Sequence, residues 1–299
     1  MPLEQLASNR DGAAMTAGRM GRGDTTGRRD DGDPDTSIPS WSHRRDATPW
    51  YDTFPWWAVV IALILGWMAW LIITDEGYNS AWHRTIPGLW LTIRATLWSF
   101  FLACGVGLIL ALFRTSRSVI LRNIARTYVE FIRGIPILVL IFTIALVIVP
   151  EVSDALGWDN RISAEWRAII ALVIIYAGYI AEIFRAGIQS IDRGQIEAGR
   201  SLGLSRRQTT GSIILPQAVR AVVPPLGNDF IAILKDTSLL SVLGVLDVTL
   251  RARQYAASTF KFRDSYFVLC FIYLTLTVLL SLLLQVVEKR LNRGRQEAA

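Results

Sequence analysis

Apolar residues in this chain come in long blocks separated by short polar stretches rich in arginine. Six blocks read as helices that cross a membrane, a crossing that takes about 20 apolar residues for about 30 Å of hydrocarbon. Phe54–Ile73 has no charged residue and carries Trp56, Trp57, Trp67 and Trp70 towards its ends, where indole rings anchor at the interface. Ile86–Phe113 is interrupted only by Arg94 near its start, from which a long side chain is expected to snorkel to the interface. Arg133–Val149, entered through residues 128–136, and Trp166–Phe184 are the third and fourth. Val219–Leu234 is the weakest, because it holds Pro224, Pro225, Asn228 and Asp229. Ser265–Val287 is charge-free and strong. The pattern predicts an all-α membrane protein with about six transmembrane helices.

Lysine and arginine bias in the short loops orients such a bundle. The loop after the second block carries Arg114, Arg117, Arg122 and Arg126, and that after the fourth carries Arg185, Arg193, Arg200, Arg206 and Arg207. The C-terminal end carries Lys289, Arg290, Arg293 and Arg295. These fall on one side, which is then cytoplasmic. The opposite loops, 74–85 and 150–165, are mainly acidic. The segment 236–264 fits less well, since it holds Arg251, Arg253, Lys261 and Arg263. With six spans both termini lie inside.

Composition agrees. Of 299 residues 52% are hydrophobic, and the mean hydropathy is +0.36, an average few soluble domains reach. The net charge of +6 would suit nucleic acid, but its arginines flank apolar blocks, where topology explains them and a nucleic-acid partner is not needed. Residues 1–50 are rich in Gly, Asp, Arg, Ser and Thr and hold no run able to bury a core, so they read as a disordered polar cytoplasmic tail. Their charges are mixed, which argues against a basic membrane clamp. The first apolar block starts too late for a cleaved signal peptide. Cys104 and Cys270 fall inside blocks as small apolar residues, and neither they nor His43 and His83 have metal-ligand spacing. No metal or cofactor is expected. No paired carboxylate, nucleophile–base pair or G-x-x-x-x-G-K-[ST] phosphate loop exists, so the chain is not expected to be an enzyme or to hydrolyse ATP itself.

The loop 185–216 is the polar segment with most structure to predict. Gln195–Leu202 can form a short helix, Gly203 suits a left-handed turn, and Ser205 can cap a second helix beginning Arg206-Arg207-Gln208. Small Ala198 and Gly199 permit close backbone approach, and Glu197 offers a charge to a basic partner. An ordinary amphipathic loop between spans is the alternative.

One long pattern runs through that loop. Glu197-Ala198-Gly199, then Gly203 after three residues, then Ile213-x-Leu215-Pro216 after nine more, resembles the EAA motif of ABC-importer permeases, E-A-A-x3-G-x9-I-x-L-P. Matching stretches extend along the chain: Gly88–Leu97, Phe131–Leu138, Tyr179–Gly187, Gly194–Ala198, Ile213–Ala218, Pro225–Asn228 and Lys235–Leu239. From about Gly88 to Val287 the chain is similar to the permease subunit of polar-amino-acid ABC importers, the histidine, glutamine and glutamate permease family. The resemblance implies a type I (MetI-like) core of five spans within 86–290, to which residues 51–85 add an N-terminal helix and loop. It implies that the 195–203 helix docks in a groove of a separate ATP-binding cassette ATPase. Glu197, Ala198, Gly199, Gly203, Ile213, Leu215 and Pro216 are then the coupling residues. The remaining implied partners are a second permease copy or paralogue, a periplasmic or extracellular substrate-binding protein, and the lipid of the cell inner membrane. Two departures stand out. Gly199 replaces an alanine, at about 1 kcal/mol of helix propensity, and Ile135 stands where a small polar residue is common.

Polar residues at lipid depth are candidates for function because they are costly there. Glu182 is either half of a local pair with Arg185 or a pathway residue meeting a substrate ammonium. Asn228 and Asp229 follow what reads as a Pro224-Pro225 break; they either line a pathway at an interrupted helix or bond across a kink. Lys235 is a candidate for a substrate carboxylate, while Thr237 and Ser238 are expected to cap the next helix. Tyr176 and Tyr179 can flank a pathway or simply pack. The reading is a permease subunit of an amino-acid importer. An importer for another small polar solute (an opine, a sulfur-containing amino acid) and a membrane scaffold are the alternatives.

Overall fold

A computed structural model of the chain describes residues 56–158 and 162–296. The tail expected at 1–50, with His43, lies outside the described residues. Those described are helical, with no strand among them. In chain order they form α1 (Trp56–Thr74), α2 (Glu76–Thr85), α3 (Leu89–Thr115), α4 (Val119–Gly134), α5 (Ile137–Ala155), α6 (Ala164–Gln189), α7 (Arg193–Ser201), α8 (Leu215–Asp236), α9 (Val248–Thr259) and α10 (Phe262–Gln296). Five stretches are long and apolar enough to cross a membrane: Trp56–Thr74, Glu76–Thr115, Ile137–Ala155, Ala164–Gln189 and Phe262–Leu291. The expected fifth block, inside α8, falls short of that composition because of its polar and charged residues.

Helix α3 buries small side chains and exposes large apolar ones, the inverse of a helix on a water-soluble core. Along α3 the buried residues are Thr92, Ala95, Thr96, Ser99, Ala103, Gly107 and Ala111, a stripe at helical spacing. Leu97, Trp98, Phe101, Leu102, Ile109 and Leu112 of the same helix are exposed. Against the stripe lies α6, and the two make the largest helix–helix contact in the structure. A Cβ at Gly107 would come within 2.8 Å of Ile180 Cγ2 and 3.1 Å of the Ala181 nitrogen, so the backbones meet where side chains are absent. In lipid, where apolar burial gains nothing over acyl chains, such close approach is what holds helices together. The pair is parallel. Arg94 bonds Glu165 near the two starts, and Arg114 bonds Glu182 near the two ends. Arg94 is therefore paired across helices rather than snorkelling alone. The carboxylate is nearby in the fold but 71 residues away in sequence.

This pair belongs to the larger of two apolar cores, which also takes in α5, the end of α4 and the outer end of α8. The smaller core gathers Ile72 of α1, Tyr78 and Ala81 of α2, Val248 of α9, and Val268 and Ile272 of α10. The N-terminal helix thus packs on the side of α10, where Phe267 meets Trp67 at 5.8 Å and Tyr78 at 4.9 Å between ring centroids. A polar knot joins α9 to α3: Val248 donates its N–H to Thr92 Oγ1 at 3.2 Å, and Asp247 caps α9 by accepting from Leu250 N–H at 2.8 Å. Burial pushes the Asp247 carboxyl up to about 6, against the opposing effect of the Leu250 and Thr249 backbone donors.

Two boundaries differ from expectation. The third crossing starts at Ile137, not Arg133. Ile135 is extended, as a residue before proline is driven to be, so Arg133 closes the preceding helix α4. The proline pair at 224 and 225 does not break the fifth segment. α8 runs unbroken from Leu215 to Asp236 with both prolines inside it. A proline keeps a helical φ and forfeits only its own N–H and the bond four residues back, a loss that membrane helices repair from neighbours or tolerate beside a cavity.

If the small-residue stripe sets the distance between α3 and α6, Ala103→Leu should lower unfolding stability by about 1–3 kcal/mol. Leu102→Ala, on the exposed side of the same turn, should leave the melting temperature of the detergent-solubilised protein nearly unchanged. Equal shifts for the two variants would contradict this packing.

Candidate functional site

The loop between α6 and α8 folds into a two-armed knob. Its first arm, α7, begins at Arg193 instead of Gln195, because the Asp192 carboxylate caps it by accepting from Gly194 N–H at 2.6 Å. The arm ends at Gly203, whose φ of 81° is left-handed, and Leu204 N–H donates back to the Gly199 carbonyl at 3.1 Å. A side chain at 203 would be strained in that conformation. The second arm opens with a capping box: Ser205 N–H donates to Gln208 Oε1 at 2.9 Å, and Gln208 N–H to Ser205 Oγ at 3.4 Å. Gly203 and Ser205 thus do what their residue types suggest.

The second arm passes into α8 through a wider turn, Thr210–Ile214, where Leu215 N–H reaches the Thr210 carbonyl five residues back. Pro216 follows at once. Having no N–H and a ring that crowds the carbonyl four residues back, it is accommodated by this one-residue widening.

Motif residues divide into those that hold the knob and those that face out. Gly199 is buried beneath the turn; a Cβ there would lie 2.6 Å from Ile213 Cδ1, with Leu204 and Thr209 just beyond. The glycine that departs from the motif is therefore filled over by Ile213, a flexible methyl end standing in the space an alanine would use. Glu197, Ala198, Gly203, Leu215 and Pro216 are exposed. So is Leu202, at 83%, the most exposed large apolar residue described. Gln217 Nε2 donates to Gln195 Oε1 at 2.5 Å and to the Ile213 carbonyl at 3.0 Å, tying α7 to the start of α8. Sequence reasoning passed over Gln217 and Leu202. The signal was Gln217's place directly after the motif proline, and an apolar residue beside a glycine turn.

The membrane-depth candidates are not brought together. Glu182 lies in the C-terminal part of α6, held by Arg114 of α3 and by Arg185, whose Nε stands 3.2 Å from both carboxylate oxygens. Beside it opens a cleft of about 340 Å³, reaching Ala221 and Pro225 of α8. The sequence offered only the Arg185 partner; Arg114 is 68 residues away. Asn228 is exposed. Asp229 is half-buried, and its enclosed Oδ2 has no hydrogen-bond partner among the described residues. Lys235 lines a different depression, of about 170 Å³, with Trp57 and Ile61 of α1 and Thr277 and Ser281 of α10. Tyr176 Oη donates to Asp236 Oδ2 at 2.7 Å and its ring lies 5.8 Å from that of Tyr179. Thr237 does not cap a following helix. A 3-10 segment, Thr237–Leu243, continues directly from α8, and the Thr237 hydroxyl donates back to the Leu234 carbonyl at 2.6 Å. Among the described residues no group of three His, Cys, Asp or Glu side chains is placed to hold a metal ion.

Long lipid-facing helices around a small-residue seam, with a structured knob between two of them, define a multi-pass membrane protein. Residues 103–293 match the family described as binding-protein-dependent transport system inner membrane component, and the chain belongs to that family. It is 36% identical over 217 residues to the probable amino-acid permease protein YxeN of Bacillus subtilis (strain 168), covering 72% of this chain and 94% of that one. A crystal structure of an amino acid ABC transporter with histidines superposes with a TM-score of 0.64 at 33% identity, over 73% of this chain and 98% of that chain. The inward-facing MetNI methionine ABC transporter shares the fold, with a TM-score of 0.54 at 23% identity over 70% and 95% of the two chains. The chain is thus an inner-membrane permease component of an ABC transporter with a MetI-like fold, and not itself the catalytic subunit. Membership implies ATPase and binding-protein partners.

Glu182 answers to two cations, so its coupling to Arg114 is measurable. A double-mutant cycle of Glu182→Gln with Arg114→Gln, read by thermal unfolding, should give an interaction of about 0.5–3 kcal/mol. Additive single effects would mean that the pair does not form.

Proposed function

We propose that this chain moves a polar amino acid across the inner membrane, driven by ATP hydrolysis in a separate subunit that grips the α7 knob. One observation carries the reading. Gly199, Ile213 and Gln217 brace the knob from within, and the same motif turns Glu197, Ala198 and the Gly203 turn outward, with Leu202 standing proud between them. A braced protrusion transmits a push to α6 and α8, whereas a loose loop would absorb it. Leu215 and Pro216, at the head of α8, pass that motion into the helix bearing Asn228 and Asp229. The substrate class rests on the kinship with an amino-acid permease and with a transporter seen with histidines.

In this reading α8 is the sixth crossing, tolerated in spite of Pro224, Pro225, Asn228 and Asp229 because a pathway adjoins it. Both termini face the cytoplasm. The permease domain is 86–290, with the coupling loop at about 185–216. Residues 51–85 are an addition that packs through the smaller core, and 1–50 form a cytoplasmic tail. Two permease chains, identical or paralogous, form the working dimer with two ATPase subunits and a periplasmic binding protein. Asp229, with its unbonded and enclosed oxygen, is the first choice for a substrate ammonium, and Asn228 lies beside it. Glu182 is a second choice, already committed to Arg114 and Arg185. Lys235, facing the added helix, is the weakest of the four.

Replacing Glu197 with Lys reverses the outward charge, and Gly203→Leu strains the turn. Each should abolish ATP-dependent uptake while membrane insertion, followed by fractionation, stays intact. Uptake at the wild-type rate in both variants would remove the knob from the mechanism.

A further inference from the structure

Helix α4 presents three distinct faces. Ala125, Val129 and Ile132 are buried against the bundle. Ile120, Ile124 and Phe131 form one exposed apolar stripe, each more than half exposed. Arg122 and Arg126, one turn apart, point away from that stripe into a concavity of about 230 Å³. Arg114 from the end of α3 and Arg185 from the end of α6 also line it, so guanidiniums converge from three helices, with Glu130 the acid in its wall. Arg114 and Arg185 are shared with Glu182. Arg122 reaches only the Ser116 carbonyl, at 3.5 Å, and Arg126 makes no ion pair or hydrogen bond among the described residues. Four arginines thus face two carboxylates, and two of the four have almost nothing to bind.

We propose that this concavity binds the phosphate of an anionic phospholipid from the cytoplasmic leaflet. An apolar stripe opposite a basic face is the composition of a helix lying in the membrane interface, apolar side among acyl chains and arginines at headgroup level. Guanidinium forks match phosphate oxygens with paired charge-assisted hydrogen bonds. The anionic surface of that leaflet concentrates such headgroups beside a basic juxtamembrane segment. Positive-inside topology accounts for arginines on this side of the membrane, but not for their convergence on one concave spot. A soluble phosphate would satisfy the guanidiniums as well, yet it leaves the apolar stripe on the same helix without a purpose. Because Arg114 and Arg185 also hold Glu182, the headgroup and that carboxylate draw on the same two cations. The proposal concerns binding alone and stands apart from the transport reading.

The test reconstitutes the full chain, in its assembled complex, in nanodiscs of phosphatidylcholine with or without phosphatidylglycerol, and counts retained lipid by native mass spectrometry. Wild type should retain phosphatidylglycerol in preference to phosphatidylcholine. Arg122→Gln with Arg126→Gln should weaken that retention about twenty-five-fold, about fivefold for each arginine. Both side chains are exposed and neither forms an ion pair, Arg122 reaching only the Ser116 carbonyl, so the variant's melting temperature in phosphatidylcholine should nearly match wild type. Equal phosphatidylglycerol retention by wild type and variant would overturn the site. Displacement of the lipid by millimolar inorganic phosphate, or binding of that phosphate with no preference for phosphatidylglycerol, would overturn the lipid as its occupant.

Discussion

The close parallel contact of α3 with α6 is the constraint on which the rest of this protein depends. Every side chain that α3 buries in the seam, from Thr92 to Ala111, is small, so its backbone approaches α6 where lipid gives no other reason for helices to meet. The seam fixes more than distance. It brings Arg94 to Glu165 at one end and Arg114 to Glu182 at the other. The two arginines are twenty residues apart on α3, which at 1.5 Å per residue is about 30 Å, the thickness of the hydrocarbon core. The two ion pairs thus stand about one hydrocarbon thickness apart along α3, with no charged residue of that helix between them.

From that seam the functional loop takes its position. α6 carries Glu182 in its C-terminal part and continues into Ser190 and Asp192, so α7 is capped by a residue only three positions beyond the end of a fixed helix. The return arm is held by Gln217 to Gln195 and by Ile213 over Gly199. A knob braced at both feet is tied to α6 and α8, as the proposed coupling to ATP hydrolysis requires. Asp229 lies on α8, and its enclosed Oδ2 has no hydrogen-bond partner among the described residues.

Much of this was legible in the chain, for reasons that separate local from distant physics. Ser205 and Gly203 were readable because a cap and a left-handed turn are decided by one residue and its immediate neighbours. Apolar blocks located five of the spans, with their ends shifted. What the sequence hid was pairing at a distance. Arg94 sits alone in an apolar run, and Glu182 has only its neighbour Arg185, until the fold supplies Glu165 and Arg114. The Pro224-Pro225 pair misled for a related reason: it signals a break in a helix surrounded by water, while packing inside a bundle keeps the helix going. Gly199 looked like a defect in a helix-forming motif until Ile213 was seen lying across it.

The central claim, that the knob is the surface through which ATP hydrolysis drives the permease, can be tested at its tip. With Cys104 and Cys270 replaced by alanine, a cysteine introduced as Leu202→Cys can be modified by a water-soluble thiol reagent in the isolated permease and in the ATPase-bound complex. The account predicts rapid modification when the chain is alone and a rate at least an order of magnitude slower once the ATPase subunits are bound, changing again on addition of a non-hydrolysable ATP analogue. The same rate in all three states would contradict it.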